Sequence, residues 1–264
     1  MKQRLITGIV AGAFFLAIMV AGGSYYDTLL IVLAMIGFRE YVKMNGVPLL
    51  HPASLLGFAG ILYIVPPWAG WGVELPSLLT MIWLLAFFLL AITVVTKNAM
   101  TIDGAALMLL GAIYVGVGFS AMIEVRGMSP DGLFWTFLSF SCIWASDIGA
   151  YFVGRAIGRR KLWPSISPNK TVEGALGGVL LSLLVAVCFA LSAPETLSLG
   201  HAVLIGLLAA VAGQFGDLIQ SAYKRVRGIK DTGAILPGHG GVLDRCDSWI
   251  IVFPLLLLCS LIPS

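Results

Sequence analysis

Two aspartates stand where a lipid bilayer would otherwise exclude charge. Asp217 lies deep in an apolar run, within Gly213-Gln-Phe-Gly-Asp217-Leu-Ile-Gln-Ser221-Ala-Tyr-Lys224. An acid at the centre of a spanning helix costs roughly 2.5–3.5 kcal/mol, and less near an end. At helical spacing Gln214, Asp217, Ser221 and Lys224 share one face, forming a polar stripe that ends on a basic segment. Gly213 and Gly216 flank the aspartate and would let another backbone come close. Asp147, Tyr151 and Arg155, spaced i, i+4 and i+8, repeat the pattern on another run. Either stripe alone suits a helix–helix hydrogen bond as well as it suits a reaction. Two stripes descending to one basic surface favour chemistry on anions.

Residues 224–247 are the densest stretch of such chemistry. Gly238, Gly240 and Gly241 surround His239, so backbone N–H groups there can curl around an anion. Lys224, Arg225, Arg227, Lys230 and Arg245 supply positive charge, while Asp231, Asp244 and Asp247 are acids among them. Carboxylates beside phosphate-binding cations make sense when a hard divalent ion joins them, because magnesium bridges one or two carboxylates to substrate phosphates. Asp231 also suits a turn and Asp247 a helix N-cap. Upstream, Ser167-Pro-Asn-Lys170-Thr171 reads as a turn into the next helix, whose N-terminus is a natural anion site; Glu173 would complement that helix's dipole. His51 and His201 sit at run boundaries and carry no such pattern.

The elements that must position these residues are membrane helices. Of 264 residues, 59% are hydrophobic and 11% charged, and mean hydropathy is +0.99. A water-soluble globule and a disordered chain are both excluded. A bilayer core takes about 20 apolar residues per helix, and nine runs are candidates: 5–23, 25–38, 52–68, 77–96, 102–123, 132–153, 172–191, 201–223 and 248–262, the second and last being short enough to need flanking residues. With a cytoplasmic N-terminus, 15 of the 16 basic residues fall on the inner connections and only Arg126 outside. The expectation is an all-α polytopic membrane protein of about nine transmembrane helices, N-terminus cytoplasmic and C-terminus external. It is one integral membrane domain over 1–264. Residues 1–130 (spans one to five) form a packing or oligomer region, and 131–264 (spans six to nine) carry the cytoplasmic catalytic loops. An uncleaved first helix is expected, and the four cysteines show no CxxC or zinc spacing.

The stretch Ser221-Ala-Tyr-Lys224-Arg225, Lys230-Asp231-Thr-Gly and Leu-Pro237-Gly-His239-Gly240-Gly241-Val-Leu-Asp244-Arg245-Cys-Asp247 resembles the signature of the phosphatidate cytidylyltransferase (CDP-diacylglycerol synthase) family. The segments SPNKTVEG and SDIGAYFVGR are also similar to family segments, and Tyr223, Cys246 and Asn169 are small departures. The resemblance implies transfer of a cytidylyl group from CTP to phosphatidate, yielding CDP-diacylglycerol and pyrophosphate, with Mg2+ and a monovalent cation such as K+. It implies Asp217, Asp244 and then Asp247 as metal ligands. Lys224 and Arg245 would act with Asp217 and Asp244 in catalysis. Lys170, Ser221, Arg225, Lys230, Asp231, His239, Gly240, Gly241 and Asp147 would bind substrate. Expected partners are CTP, phosphatidate, membrane lipids and a second copy of the chain, with no nucleic acid. The expected location is a bacterial cytoplasmic membrane with the site facing the cytoplasm. The alternatives are another CTP-using membrane lipid enzyme (a polyprenol kinase or an ether-lipid cytidylyltransferase) or an ion-coupled transporter.

Overall fold

The computed structural model describes residues 2–233 and 240–263, with side chains from residue 7 onward. Within the described residues each of the nine apolar runs falls on one α-helix: α1 (Lys2–Ala21), α2 (Gly23–Met44), α3 (Pro52–Ile64), α4 (Leu78–Val95), α5 (Ile102–Gly127), α6 (Gly132–Ile157), α7 (Val172–Ser192), α8 (Leu199–Val226) and α9 (Leu243–Leu258). Helices α4 to α8 are long and apolar enough to cross a membrane, which makes the chain an all-α membrane protein. α9 begins five residues before the run expected at 248–262. Asp247 therefore lies inside the helix rather than capping it.

The chain divides into two compact units. The first holds Met1–Glu124 together with Asp231–Arg245, so the described residues 231–233 and 240–245 belong with the N-terminal helices. Its core includes Tyr26, Leu30, Phe38, Tyr41, Met108 and Phe119, all buried, with Phe38 edge-on to Phe58 at 5.0 Å. The stripe Leu30, Ala34, Gly37, Tyr41 on α2 faces this core, while Arg39 and Lys43 are exposed.

The second unit holds Val125–Lys230 and Cys246–Ser264. Its helices meet through small residues, as apolar helices without a hydrophobic drive between them must. A Cβ on Gly149 of α6 would lie 2.6 Å from the Gly177 carbonyl of α7. Side-chain hydroxyls and one amide lock the same seams. Ser182 of α7 donates to the Gly206 carbonyl of α8 at 2.9 Å, and Ser248 of α9 donates to the Gly213 carbonyl of α8 at 2.9 Å. Gln214 of α8 donates to Ser146 on α6 at 3.3 Å and to the Ala175 carbonyl on α7 at 3.1 Å.

Between α6 and α7 the chain forms a hairpin where the sequence suggests a turn. Strands β1 (Lys161–Trp163) and β2 (Ser167–Thr171) pair antiparallel, Lys161 opposite Thr171 and Trp163 opposite Ser167. Pro164 and Pro168 punctuate the segment and disguise it as a loop, yet an isolated two-stranded edge tolerates proline. So small a hairpin is marginal alone, and it is tied down at three points. The Val172 N–H donates to the Arg160 carbonyl at 2.9 Å. Glu173 accepts from the Arg159 and Arg160 N–H groups at 3.0 and 3.2 Å, beyond its expected dipole role. Arg225 of α8 donates to the Ile166 carbonyl at 3.3 Å.

Thr171 joins the hairpin to α7 as its N-cap, accepting the Gly174 N–H on Oγ1 at 3.1 Å. Thr171→Ala should cost about 1 kcal/mol by the loss of that cap. A lower thermal midpoint in detergent, with faster tryptic cleavage after Arg159 to Lys161, would register it. Unchanged values for both would refute the role.

Candidate active site

Asp217 sits on α8 about two and a half turns before its C-terminal end, and the hairpin brings a cation to it. Lys170 on β2 pairs with Asp217, Nζ to Oδ2, at 2.6 Å; the two side chains are 27% and 37% exposed, so the pair is open to a ligand. The other oxygen of Asp217 accepts from Ser221 Oγ at 3.2 Å, one turn along the stripe. The hairpin thus serves to aim Lys170. That residue immediately precedes Thr171, and the Thr171 cap fixes the register in which strand β2 meets α7.

Asp247, half-buried on α9, lies within electrostatic reach of Asp217, Asp147 and Lys224. Gly216 allows this approach, since a Cβ there would lie 2.5 Å from the Asp247 carbonyl oxygen. Asp147 is exposed on α6, and further down its stripe Arg155 donates to the Tyr151 hydroxyl at 3.2 Å. The second unit therefore gathers Asp217, Asp247, Asp147, Lys170, Ser221 and Lys224 around one locality. Arg225 and Lys230 are exposed nearby in sequence, at and beyond the end of α8. Placing two acids beside each other is electrostatically costly unless cations accompany them. Lys170 and Lys224 do so here.

In the first unit the other group is built by Asp244 and by Glu40, a residue that spacing and motif do not single out. Asp244 Oδ2 accepts the Thr232 N–H at 2.8 Å, the Thr232 hydroxyl at 3.0 Å and the Gly241 N–H at 2.9 Å. Gly240 turns the chain with φ +85°. The Gly241 N–H, expected to meet a substrate anion, is therefore held by the protein's own carboxylate. Glu40 of α2 is 1% exposed and accepts the Val242 and Leu243 N–H groups at 3.0 Å each and the Thr232 hydroxyl at 3.0 Å. Glu40 follows Gly37 by three residues, continuing the buried stripe of α2 that Arg39 and Lys43 leave. Asp231 and Arg245 are exposed, and His239 lies outside the described residues.

Among the described residues no three His, Cys, Asp or Glu side chains stand close enough together to cage a metal. Asp217 already binds a cation, the Lys170 ammonium, and the carboxylates and hydroxyl around it are oxygen ligands. The donor set fits magnesium.

The chain matches the model of the Cytidylyltransferase family over residues 2–262. It is 39% identical to a phosphatidate cytidylyltransferase of Bacillus subtilis over 258 residues, 97% of this chain and 96% of the relative. It is 40% identical to one of Staphylococcus haemolyticus over 260 residues, 97% of each, and 38% identical to one of Staphylococcus aureus over 257 residues, again 97% of each. With a family match over nearly its whole length and relatives of this identity, the chain belongs to the cytidylyltransferase family.

Proposed function

We propose that this chain transfers the cytidylyl group of CTP to phosphatidate, making CDP-diacylglycerol and pyrophosphate for phospholipid synthesis. The observation that carries the reading is the family match across residues 2–262; the geometry says how the chain would do it. A phosphate oxygen of phosphatidate forms a bond to the α-phosphorus of CTP. The bond from that phosphorus to the oxygen bridging the β-phosphate breaks, and pyrophosphate leaves with the electron pair. The difficulty is bringing two polyanions together, so the protein's work is charge neutralisation and alignment.

Lys170 and Lys224 neutralise phosphate charge beside Asp217, and Arg225 and Lys230 extend the basic surface. Arg245 adds a further cation near the start of α9. The attacking phosphate is already ionised near neutral pH, so no side chain is needed as general base. Bound magnesium supplies neutralisation of the nucleotide phosphates and polarisation at the α-phosphorus. Asp217 and Asp247 are its ligands in this proposal, with a monovalent cation such as K+ accompanying it. Asp244 stays in this proposal as the further acid that the resemblance implies as a ligand, and its Oδ2 also accepts donors of its own loop. Lys170, paired with Asp217 here, is the side chain that would turn to a substrate phosphate.

The proposal includes nine spans, a cytoplasmic N-terminus, an external C-terminus and a site facing the cytoplasm of a bacterial membrane. The distribution of basic residues supports it. Phosphatidate then keeps its acyl chains in the inner leaflet while its headgroup meets soluble CTP. A pair of chains as the working form also belongs to the proposal, to be checked by the mass of the detergent-solubilised protein.

The test supplies purified chain with labelled CTP, phosphatidate and Mg2+. A cytidine-bearing lipid and stoichiometric pyrophosphate are expected, stopped by chelator and restored by Mg2+. Label on a polyprenol or ether lipid and none on phosphatidate would overturn the acceptor. Solute transport without nucleotide turnover would overturn the reaction.

A further inference from the structure

The carboxylate of Glu40 is the least expected charge in the first unit. It is almost fully buried in α2, yet each of its oxygens is engaged. Oε1 accepts the Val242 N–H, and Oε2 accepts the Leu243 N–H and the Thr232 hydroxyl, all at 3.0 Å. Leu243 opens α9 and Val242 immediately precedes it, where N–H groups have no partner within the helix and the positive end of the dipole gathers. Such groups are usually satisfied by a serine, threonine or aspartate just before the helix. Here the neighbouring side chain, Asp244, turns back to Thr232 and Gly241, and the cap comes from a residue 202 positions away.

The loop is shaped around this carboxylate. A Cβ on Gly233 would overlap Glu40 Oε1, and a Cβ on Gly241 would overlap both Glu40 Oε2 and Thr232 Oγ1. Gly37, one turn before Glu40 on α2, gives room in turn to the Leu243 side chain, whose Cδ2 would lie 3.2 Å from an added Cβ. Thr232 sits between two acids, its single hydroxyl proton shared between Glu40 Oε2 and Asp244 Oδ2, each 3.0 Å from Oγ1. Glycine, hydroxyl and helix terminus thus converge on one buried anion.

We propose that Glu40 is a positioning residue for the transfer reaction. From α2 it holds the start of α9, together with Thr232, Gly233 and Gly241, in the conformation that presents Asp244 and Arg245, without touching substrate itself. The inference rests on the function proposed above for its catalytic half, and on geometry alone for its structural half. Its physical core is the negative charge. An amide at the same place keeps one acceptor oxygen but turns N–H hydrogens toward N–H donors, a mismatch that costs more than simple removal.

The test is hydrogen exchange by mass spectrometry on the detergent-solubilised chain, read on a peptide covering Val242 and Leu243, with an α7 peptide as internal control. For Glu40→Gln, exchange at Val242 and Leu243 should rise about tenfold to a hundredfold while α7 is unchanged, as loss of charge-assisted bonds at one locality requires. The same variant should lose a similar factor in kcat, with KM for CTP moving less, because alignment rather than contact is lost. Gly233→Ala, which leaves the charge but pushes against it, should raise exchange in the wild-type background and add nothing beyond Glu40→Ala.

Unchanged exchange at Val242 and Leu243 in Glu40→Gln overturns the inference, even in an active enzyme. Equal acceleration in α7 overturns it too, because the residue would then be a global stabiliser. An effect of Gly233→Ala that persists in full without Glu40 would do the same. A wild-type chain that forms no cytidine-bearing lipid overturns the functional reading and the catalytic half here, while the exchange result still decides the structural half.

Discussion

Asp217→Asn should lower the rate of pyrophosphate release by about two to three orders of magnitude, the scale on which removing one preorganised electrostatic contact slows a charged transition state. The substitution is close to isosteric. It keeps an oxygen for the Ser221 hydroxyl and leaves the α8 backbone alone. What it removes is the charge that Lys170 approaches to 2.6 Å and that a divalent ion would share with Asp247. Since Asp217 is more than a third exposed on its side chain, its ion pair contributes little to stability in its own right. The thermal midpoint should therefore hardly move. A Mg2+ titration of the variant should need far higher metal, and Lys170→Met should slow transfer without raising the metal requirement. Full activity of Asp217→Asn at the wild-type Mg2+ concentration would sink the metal assignment.

The sequence makes the helices of this protein legible because a bilayer imposes one rule everywhere. Runs of apolar residues bounded by glycine, proline and charge identify α1 to α9, and on the α8 stripe Gln214 and Ser221 both make side-chain bonds, Ser221 to Asp217 itself. Local spacing suffices there, since three or four residues separate each member of the stripe from the next. What it hides are bonds between distant segments. Lys170 and Asp217 are joined by a hairpin whose two prolines look like a loop, and nothing local to either residue names the other. Glu40 answers two N–H groups 202 and 203 residues away, and a single acid after an apolar run reads as the end of a span. The glycines around His239 suggest N–H groups curled around an anion, and the Gly241 N–H does meet a carboxylate, one supplied by the chain. Its partner is Asp244, because a carboxylate supplied by the chain reaches the N–H without any loss of freedom on binding. The helix start at Leu243 follows from the same cause, as the buried cap lets α9 begin before its apolar run does.

Gly216→Val should be the most damaging small substitution in the second unit, and its neighbour Gly213 provides the control. A Cβ on Gly216 would lie 2.5 Å from the Asp247 carbonyl oxygen and 3.0 Å from the Ser248 Cα, both backbone atoms that no rotamer change can clear. A Cβ on Gly213 would meet the Ser248 Cβ and Val252 Cγ2 at 3.6 Å, ordinary van der Waals contact. Gly213→Ala should accordingly be neutral or stabilising, since alanine in a helix interior is favoured over glycine by up to about 1 kcal/mol. Gly216→Val must instead push α9 away from α8 at the level of Asp247. Overpacking of this kind costs about 1–3 kcal/mol of stability, but the larger effect falls on chemistry. Displacing a reacting group by about 1 Å is enough to cost roughly a hundredfold in rate, and here the displaced group is the carboxylate proposed to share a metal ion with Asp217. Thermal midpoint and turnover measured side by side separate the two effects: Gly216→Val should lose proportionally far more turnover than stability, and Gly213→Ala neither. If both variants behave alike, close approach of α8 and α9 is not what sets the distance between the two acids, and Asp247 has no claim as a ligand.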